Sequence, residues 1–141
     1  MKLITQIEDE INQIAKMIKN SNYLIVFTGA GVSTESGIAD FRGKDGIWTR
    51  RDKGLAPKQG KHFDDVEPNK AHFAIKELQD LGIMKFLISQ NVDNLHLKSG
   101  IKPDLIAELH GNYTLMKCLE CDERYSRNEI QWDRELHGRG Y

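Results

Sequence analysis

The sequence predicts an α/β fold with parallel strand pairing, on three observations. First, YLIVFT (23–28) and MKFLIS (84–89) are apolar without alternation, as in strands buried on both faces of a parallel sheet. Second, a helical period from Pro68 to Leu81 lies between them and a short run LIAEL (105–109) follows, giving the order strand, helix, strand, strand. Third, polar and ionisable residues gather just beyond the carboxyl end of each strand, in TGAG, SQNVDNLH and HGN. Open α/β sheets bind their ligands at that end.

Each element has a local reason. Ile4, Ile7, Ile11, Ile14 and Ile18 recur at spacings of three and four, which makes one apolar stripe on a helix of about four turns. The stripe stops before three full heptads, so packing on the core is favoured over a coiled coil. Asn20-Ser21-Asn22 ends it. Residues 29 to about 68 show little periodicity, are punctuated by Gly43, Gly46, Gly54, Pro57 and Gly60, and read as a long functional or disordered crossover. Within it, TRRDKG (49–54) reads as a solvated loop. Pro68 then opens a helix with an apolar face of Ala71, Ala74 or Ile75, Leu78 and Leu81, stopped by Gly82. YTLMKC (113–118) begins a small excursion that carries both cysteines.

Composition narrows the function classes. At 141 residues the chain is one domain's worth, with a formal net charge of −1 and 29% charged residues. There is no basic excess of the kind that phosphate contacts to nucleic acid require. No apolar run approaches a membrane span of about 20 residues. Glu8, Asp9 and Glu10 interrupt any signal-peptide pattern, so a cytoplasmic protein is expected. Cys118 and Cys121 are too few and too close for a disulfide framework; C-x-x-C is the knuckle spacing of a zinc site, with a redox pair as the weaker alternative.

The stretch GAGVSTESGIADFRG (29–43) follows the first strand as a dinucleotide-binding turn would. However, Thr34 stands where the third glycine belongs, and no acidic residue closes a second strand about twenty residues later to hold a ribose hydroxyl. Gln90, Asn91, Asp93, His96 and His110 converge at the later strand ends. Taken singly, a histidine after a strand is ordinarily structural, Trp48 reads equally as packing, and Asp40 as a loop or capping residue. His62, His72 and His137 carry no assigned role.

In their order and spacing, GAGVSTESGIADFRG, SQNVDNLH, ELHGN and CLEC resemble the sirtuins, the NAD-dependent protein deacylases. GIWTRRDKGLAPK (46–58) and LISQNVDNLHLKSG (87–100) look like the branch called class IV. Ala39 departs from the family's usual proline, which would have pre-set the loop backbone, and Ser89 replaces a threonine while keeping the hydroxyl. The resemblance implies a Rossmann-like parallel sheet, with residues 1–112 as its N-terminal half and 113–141 as the start of a zinc ribbon. It implies NAD as co-substrate and an acyl-lysine protein or peptide as partner. Gly29, Ala30, Gly31 and Thr34 would flank the pyrophosphate. Phe41 and Arg42, with Asp40, belong to the loop that covers the cofactor, and Trp48 lies near the acyl-lysine channel. Ile38, Asn91 and Asp93 would line the nicotinamide pocket, and Gln90 would contact the ribose. His110 would act as the base that takes a ribose hydroxyl proton. His96 would make structural hydrogen bonds.

Cys118 and Cys121 would supply half of a structural Cys₄ zinc site. A second pair is not present in the sequence, and His137 is the remaining candidate for a third ligand. On these grounds the chain is expected to be the N-terminal part of a sirtuin, to bind NAD weakly on its own and not to turn it over. A non-catalytic NAD-binding or regulatory fragment and a mono-ADP-ribosyltransferase are the alternatives. A doubly wound sheet ending after its third strand would also leave YLIVFT on an unprotected edge.

Overall fold

A computed structural model describes residues 2–58, 60–130 and 135 of the chain. The apolar runs form three parallel strands: β1 (Leu24–Thr28), β2 (Met84–Ser89) and β3 (Ile106–Glu108). They lie side by side in the order β1-β2-β3, with Thr28 opposite Ser89 and Ser89 opposite Glu108. All three strands therefore deliver their C-terminal residues to one end of the sheet. β2 sits in the middle, and its Leu87 is fully buried. Among the described residues β1 is an edge, and its Ile25 and Phe27 are exposed by 49% and 60%. The expected edge position is thus observed, with its apolar side chains open.

The helix α3 (Lys70–Asp80) packs on this sheet, through only part of the predicted face. Ile75 and Leu78 do pack against the core cluster of Met84, Leu87 and Ile101. The most buried positions are His72 and Gln79, whereas Leu81 is exposed beyond the helix end. Polar side chains can occupy the buried stripe because they have partners. Gln79 accepts from the Lys102 backbone N–H at 2.8 Å and donates to the Gly100 carbonyl at 3.3 Å. Asn69, not Pro68, begins the helix. Its side chain accepts from Ala71 N–H, and His72 Nδ1 accepts from Asn69 N–H, a reciprocal capping box.

Two other expectations are corrected. The isoleucine stripe does form a helix, α1 (Lys2–Lys19), but Ile4, Ile7, Ile11 and Ile14 remain exposed, so it packs on no core among the described residues. The crossover is more structured than its sequence suggests. It contains a 3-10 segment (Ala30–Ser36), the helix α2 (Ile47–Asp52) and a 3-10 turn (Phe63–Asp65). TRRDKG is therefore mostly helix. A short helix α4 (Leu95–Lys98) follows β2, and the strands β4 (Leu115–Lys117) and β5 (Arg124–Ser126) form a separate antiparallel pair. No helix among the described residues is long and apolar enough to cross a membrane.

Candidate active site

The parallel register brings the three polar strand ends together, and hydrogen bonds then lock them. At the end of β2, Asp93 is 5% exposed. Its Oδ2 accepts from Ser33 Oγ at 2.6 Å and Asn91 Nδ2 at 3.2 Å, and its Oδ1 accepts from Leu95 N–H at 3.0 Å. Asn91 Nδ2 also reaches Ser33 Oγ at 3.0 Å. The loop after β1 and the loop after β2 are thus joined through one carboxylate. A carboxylate has about four lone-pair positions, so three donors leave it one acceptor position.

The loop after β3 is tied to the same place, and Asn112 also bonds back to β3. Tyr113 N–H donates to the Val92 carbonyl at 2.9 Å, and Asn112 Nδ2 donates to Asn94 Oδ1 and to Glu108 Oε1, each at 2.8 Å. The Asn112 bond helps to hold Asn94 in the left-handed region, φ 64°. Burial pushes the Glu108 carboxyl above its ordinary range, while the Asn112 amide opposes that shift. His110 Nδ1 lies 2.8 Å from the Gln90 carbonyl oxygen. A carbonyl only accepts, so Nδ1 carries a proton, and in the neutral form of this exposed ring the lone pair falls on Nε2. That is the tautomer a general base needs.

The glycine turn and its loop form the other side. Gly31 faces open space, with no atom within 4 Å of where a Cβ would stand, so a ligand can approach the backbone there. Thr34 Oγ1 turns back onto the Gly31 carbonyl at 2.9 Å. Thr34, Ile38 and Asp40 line a cleft of about 330 Å³ together with Lys44 and Lys58. Phe41 and Trp48 rings meet at 5.1 Å, and the Arg42 guanidinium lies 4.4 Å from the Trp48 ring centroid. This cluster depends on Gly46, because a Cβ there would stand 2.6 Å from the Phe41 carbonyl carbon.

The predicted residues therefore do not all line one cavity. Asn91, Asp93, Gln90 and His110 form one bonded floor, which Gly29 reaches: its Cβ position is 3.2 Å from Gln90 Nε2. Asp93 also borders a cleft with Phe63, Asn94, Leu97 and Tyr113, whereas His110 borders a third, near Ile106, Met116 and Arg124. Phe41, Arg42 and Trp48 stand apart as an exposed aromatic–cationic group.

Sequence reasoning missed Ser33 and Asn112, whose side chains hold the floor together. Both stand inside quoted motifs, GAGVS and HGN, so their position one or two residues from the assigned groups was the available signal. His96 does make the expected structural bond, with Nε2 2.9 Å from Thr28 Oγ1.

Cys118 and Cys121 flank the turn between β4 and β5, where Cys118 N–H pairs with the Glu123 carbonyl at 2.9 Å. Backbone N–H groups of Cys121 and then Glu120 directed at the Cys118 sulfur hold its thiol below the ordinary range. A thiolate-favouring turn suits a zinc knuckle. Among the described residues no set of three or more metal-ligating side chains comes together; His137 lies outside them.

Comparison with known proteins converges on one family. The model described as "Sir2 family" matches residues 29–65 and 55–139. The chain is 48% identical over 120 residues to the Arabidopsis thaliana NAD-dependent protein deacetylase SRT1, covering 84% of this chain and 25% of that one. It is 40% identical over 142 residues to NAD-dependent protein deacylase 2 of Archaeoglobus fulgidus, covering 89% of this chain and 55% of that one. A solved Sir2 homologue mutant in complex with ADP-ribose superposes with a TM-score of 0.65 at 40% identity, over 81% of this chain and 52% of the other. The chain thus spans from a quarter to just over half the length of these proteins.

Proposed function

The chain belongs to the Sir2 family, and we propose on that premise that it supplies the nicotinamide-facing part of an NAD-dependent protein-lysine deacylase. One observation carries the proposal. The loops after β1, β2 and β3 are bonded into a single floor by Asp93, Ser33, Asn91 and His110, with an acceptor position left on Asp93 and a lone pair left on His110 Nε2.

NAD, when bound, supplies an activated ribose carbon that an acyl oxygen can attack. The residues of this chain do the rest. Gly31 gives backbone access to a pyrophosphate, and the free Asp93 position accepts a carboxamide N–H. Ile38 lends an apolar wall. His110 takes a hydroxyl proton at Nε2 while the Gln90 carbonyl, bonded to Nδ1–H, steadies the ring. Phe41, Arg42 and Trp48, held against one another, would belong to the loop that covers the cofactor. An acyl-lysine protein or peptide is the substrate that this chemistry calls for.

We further assign residues 113–141 to a zinc ribbon, with Cys118 and Cys121 as two of its thiolates, and residues 1–112 to the nucleotide-binding part. Placement in class IV rests on residues 46–58 and 87–100, and a cytoplasmic site of action on composition alone.

The test joins this chain to the portion of the Archaeoglobus relative that it does not cover, and follows nicotinamide release with an acetyl-lysine peptide. The fusion is expected to release nicotinamide, and His110→Ala to slow it by about a hundredfold or more. Retention of the full rate in His110→Ala removes His110 as the base. A folded fusion that releases nothing removes the deacylase assignment. The 141-residue chain by itself is expected to bind NAD weakly by calorimetry.

A further inference from the structure

Beneath the floor lie two histidines that the catalytic assignment does not use. His72, in the first turn of α3, is 0% exposed, and His96, in α4, is 2% exposed. Their rings are 4.9 Å apart between centroids and tilted by 56°. Among the described residues, exactly two buried side-chain nitrogen or oxygen atoms have no hydrogen-bond partner: His72 Nε2 and His96 Nδ1. That both orphans fall on neighbouring rings calls for a common cause.

The protons can be assigned from one fixed donor. The backbone N–H of Asn69 points at His72 Nδ1, 3.2 Å away. A backbone N–H only donates, so His72 Nδ1 must be bare. In a neutral imidazole the proton then sits on Nε2, and the orphan on His72 is a donor. His72 is held neutral by burial, which outweighs the opposing pull of the Asp93 charge. His96 Nε2 is bonded to Thr28 Oγ1 at 2.9 Å, and Thr28 Oγ1 lies 3.1 Å from Ser89 Oγ. If Thr28 donates to Ser89, its oxygen must accept from His96 Nε2–H, which leaves His96 Nδ1 as a bare acceptor. The two orphans are then complementary, a donor on one ring and an acceptor on its neighbour.

We propose that His72 Nε2–H and His96 Nδ1 close directly on each other to form a one-way hydrogen-bond ladder that positions the loop carrying Asn91 and Asp93. The ladder runs from Asn69 N–H to His72, from His72 to His96, from His96 to Thr28, and from Thr28 to Ser89. Ser89 Oγ in turn accepts the Asn91 backbone N–H at 3.1 Å. The reverse direction is closed. It would require His72 to accept at both ring nitrogens, which a neutral imidazole cannot do.

The same Asn69 also grips the glycine loop, since its Nδ2 donates to the Val32 carbonyl at 2.7 Å and to Ser36 Oγ at 3.1 Å. The ladder therefore joins the start of α3, the loop after β1 and the loop after β2. His72 and His96 are positioning residues, acting on the site through Thr28 and Ser89 on one side and Asn69 on the other. Their importance to deacylation rests on the function proposed above, whereas the ladder itself does not.

Nitrogen-15 NMR of the uniformly labelled 141-residue chain tests it without NAD or substrate. Both His72 and His96 are expected as neutral Nε2–H tautomers at pH 7. In His72→Phe, His96 is expected to lose its single tautomer and the Asn91 amide resonance to move, while residues of α1 such as Ile14 stay in place. A Nδ1–H tautomer at His96 in the unaltered chain overturns the ladder, as does a folded His72→Phe variant with unchanged His96 nitrogens. If His72→Phe does not fold, the two tautomers of the unaltered chain decide the matter alone.

Discussion

Asp93, Asn91 and His110 were legible in the sequence because each stands just past a recognisable strand, where the sheet's geometry gathers ligand-facing groups. Ser33, His72 and Asn112 were not, because hydrophobic patterning finds buried apolar residues and is silent on buried polar ones. Their burial follows from partners that only the folded chain supplies. This has a consequence for acid stability. Burial, then the neighbouring His72 ring, depresses the His96 pKa to about 4, against the upward pull of Asp93. Because the folded value lies below the unfolded one, the unfolded chain binds more protons between those two pH values. His96 thus contributes stability that is fully present above about pH 6.5 and is lost as pH falls toward 4, amounting to roughly 3 kcal/mol. His72 is shifted in the same direction and adds to the trend. Urea unfolding at stepped pH should show a flat midpoint above pH 7 and a steady fall below 6.5. A midpoint unchanged down to pH 4.5 would show that neither imidazole is held neutral by the fold.

The strands β1 and β2 agree with the apolar runs to within a residue, since continuous apolar sequence bounded by turn residues has few other uses. The helices were less legible. α2 carries IWTRRD, too short and too charged for a period to show, and α1 has a clear period whose packing partner the sequence did not reveal. The β4–β5 hairpin poses a different problem. Its turn favours the Cys118 thiolate, yet two sulfur ligands leave half of a tetrahedral shell to other donors, and structural zinc sites use four protein ligands. The 141-residue chain should therefore hold well under one zinc per molecule after dialysis against a mild chelator, as read by elemental analysis. Stoichiometric retention would mean that His137 or a second chain completes the shell, and a Cys118→Ser variant would then lose the metal.

Across the whole molecule, the described residues bury more polar side chains than apolar ones. Val66, Met84, Leu87, Leu95 and Ile101 make up the fully buried apolar set, against ten buried polar or charged residues. So small a core makes each member count. Leu87, on the middle strand and packed with Met84 and Ile101, is fully buried. Leu87→Ala should cost about 3 kcal/mol in chemical denaturation, from lost apolar burial and the cavity left behind. A loss below about 1 kcal/mol would place the core elsewhere. The parallel pairing of β1 with β2 sets the timing of assembly as well as its shape. Thr28 meets Ser89 across 61 positions and Ser33 meets Asp93 across 60, whereas His110 reaches Gln90 across 20. Loop-closure entropy favours the shorter link, and contacts between distant parts of a chain slow folding. The His110 corner is thus free to form early on β2 and β3, while the glycine loop must wait for the long closure that brings β1 alongside. On refolding from denaturant, the corner between β2 and β3 therefore closes before the loop after β1 finds its place.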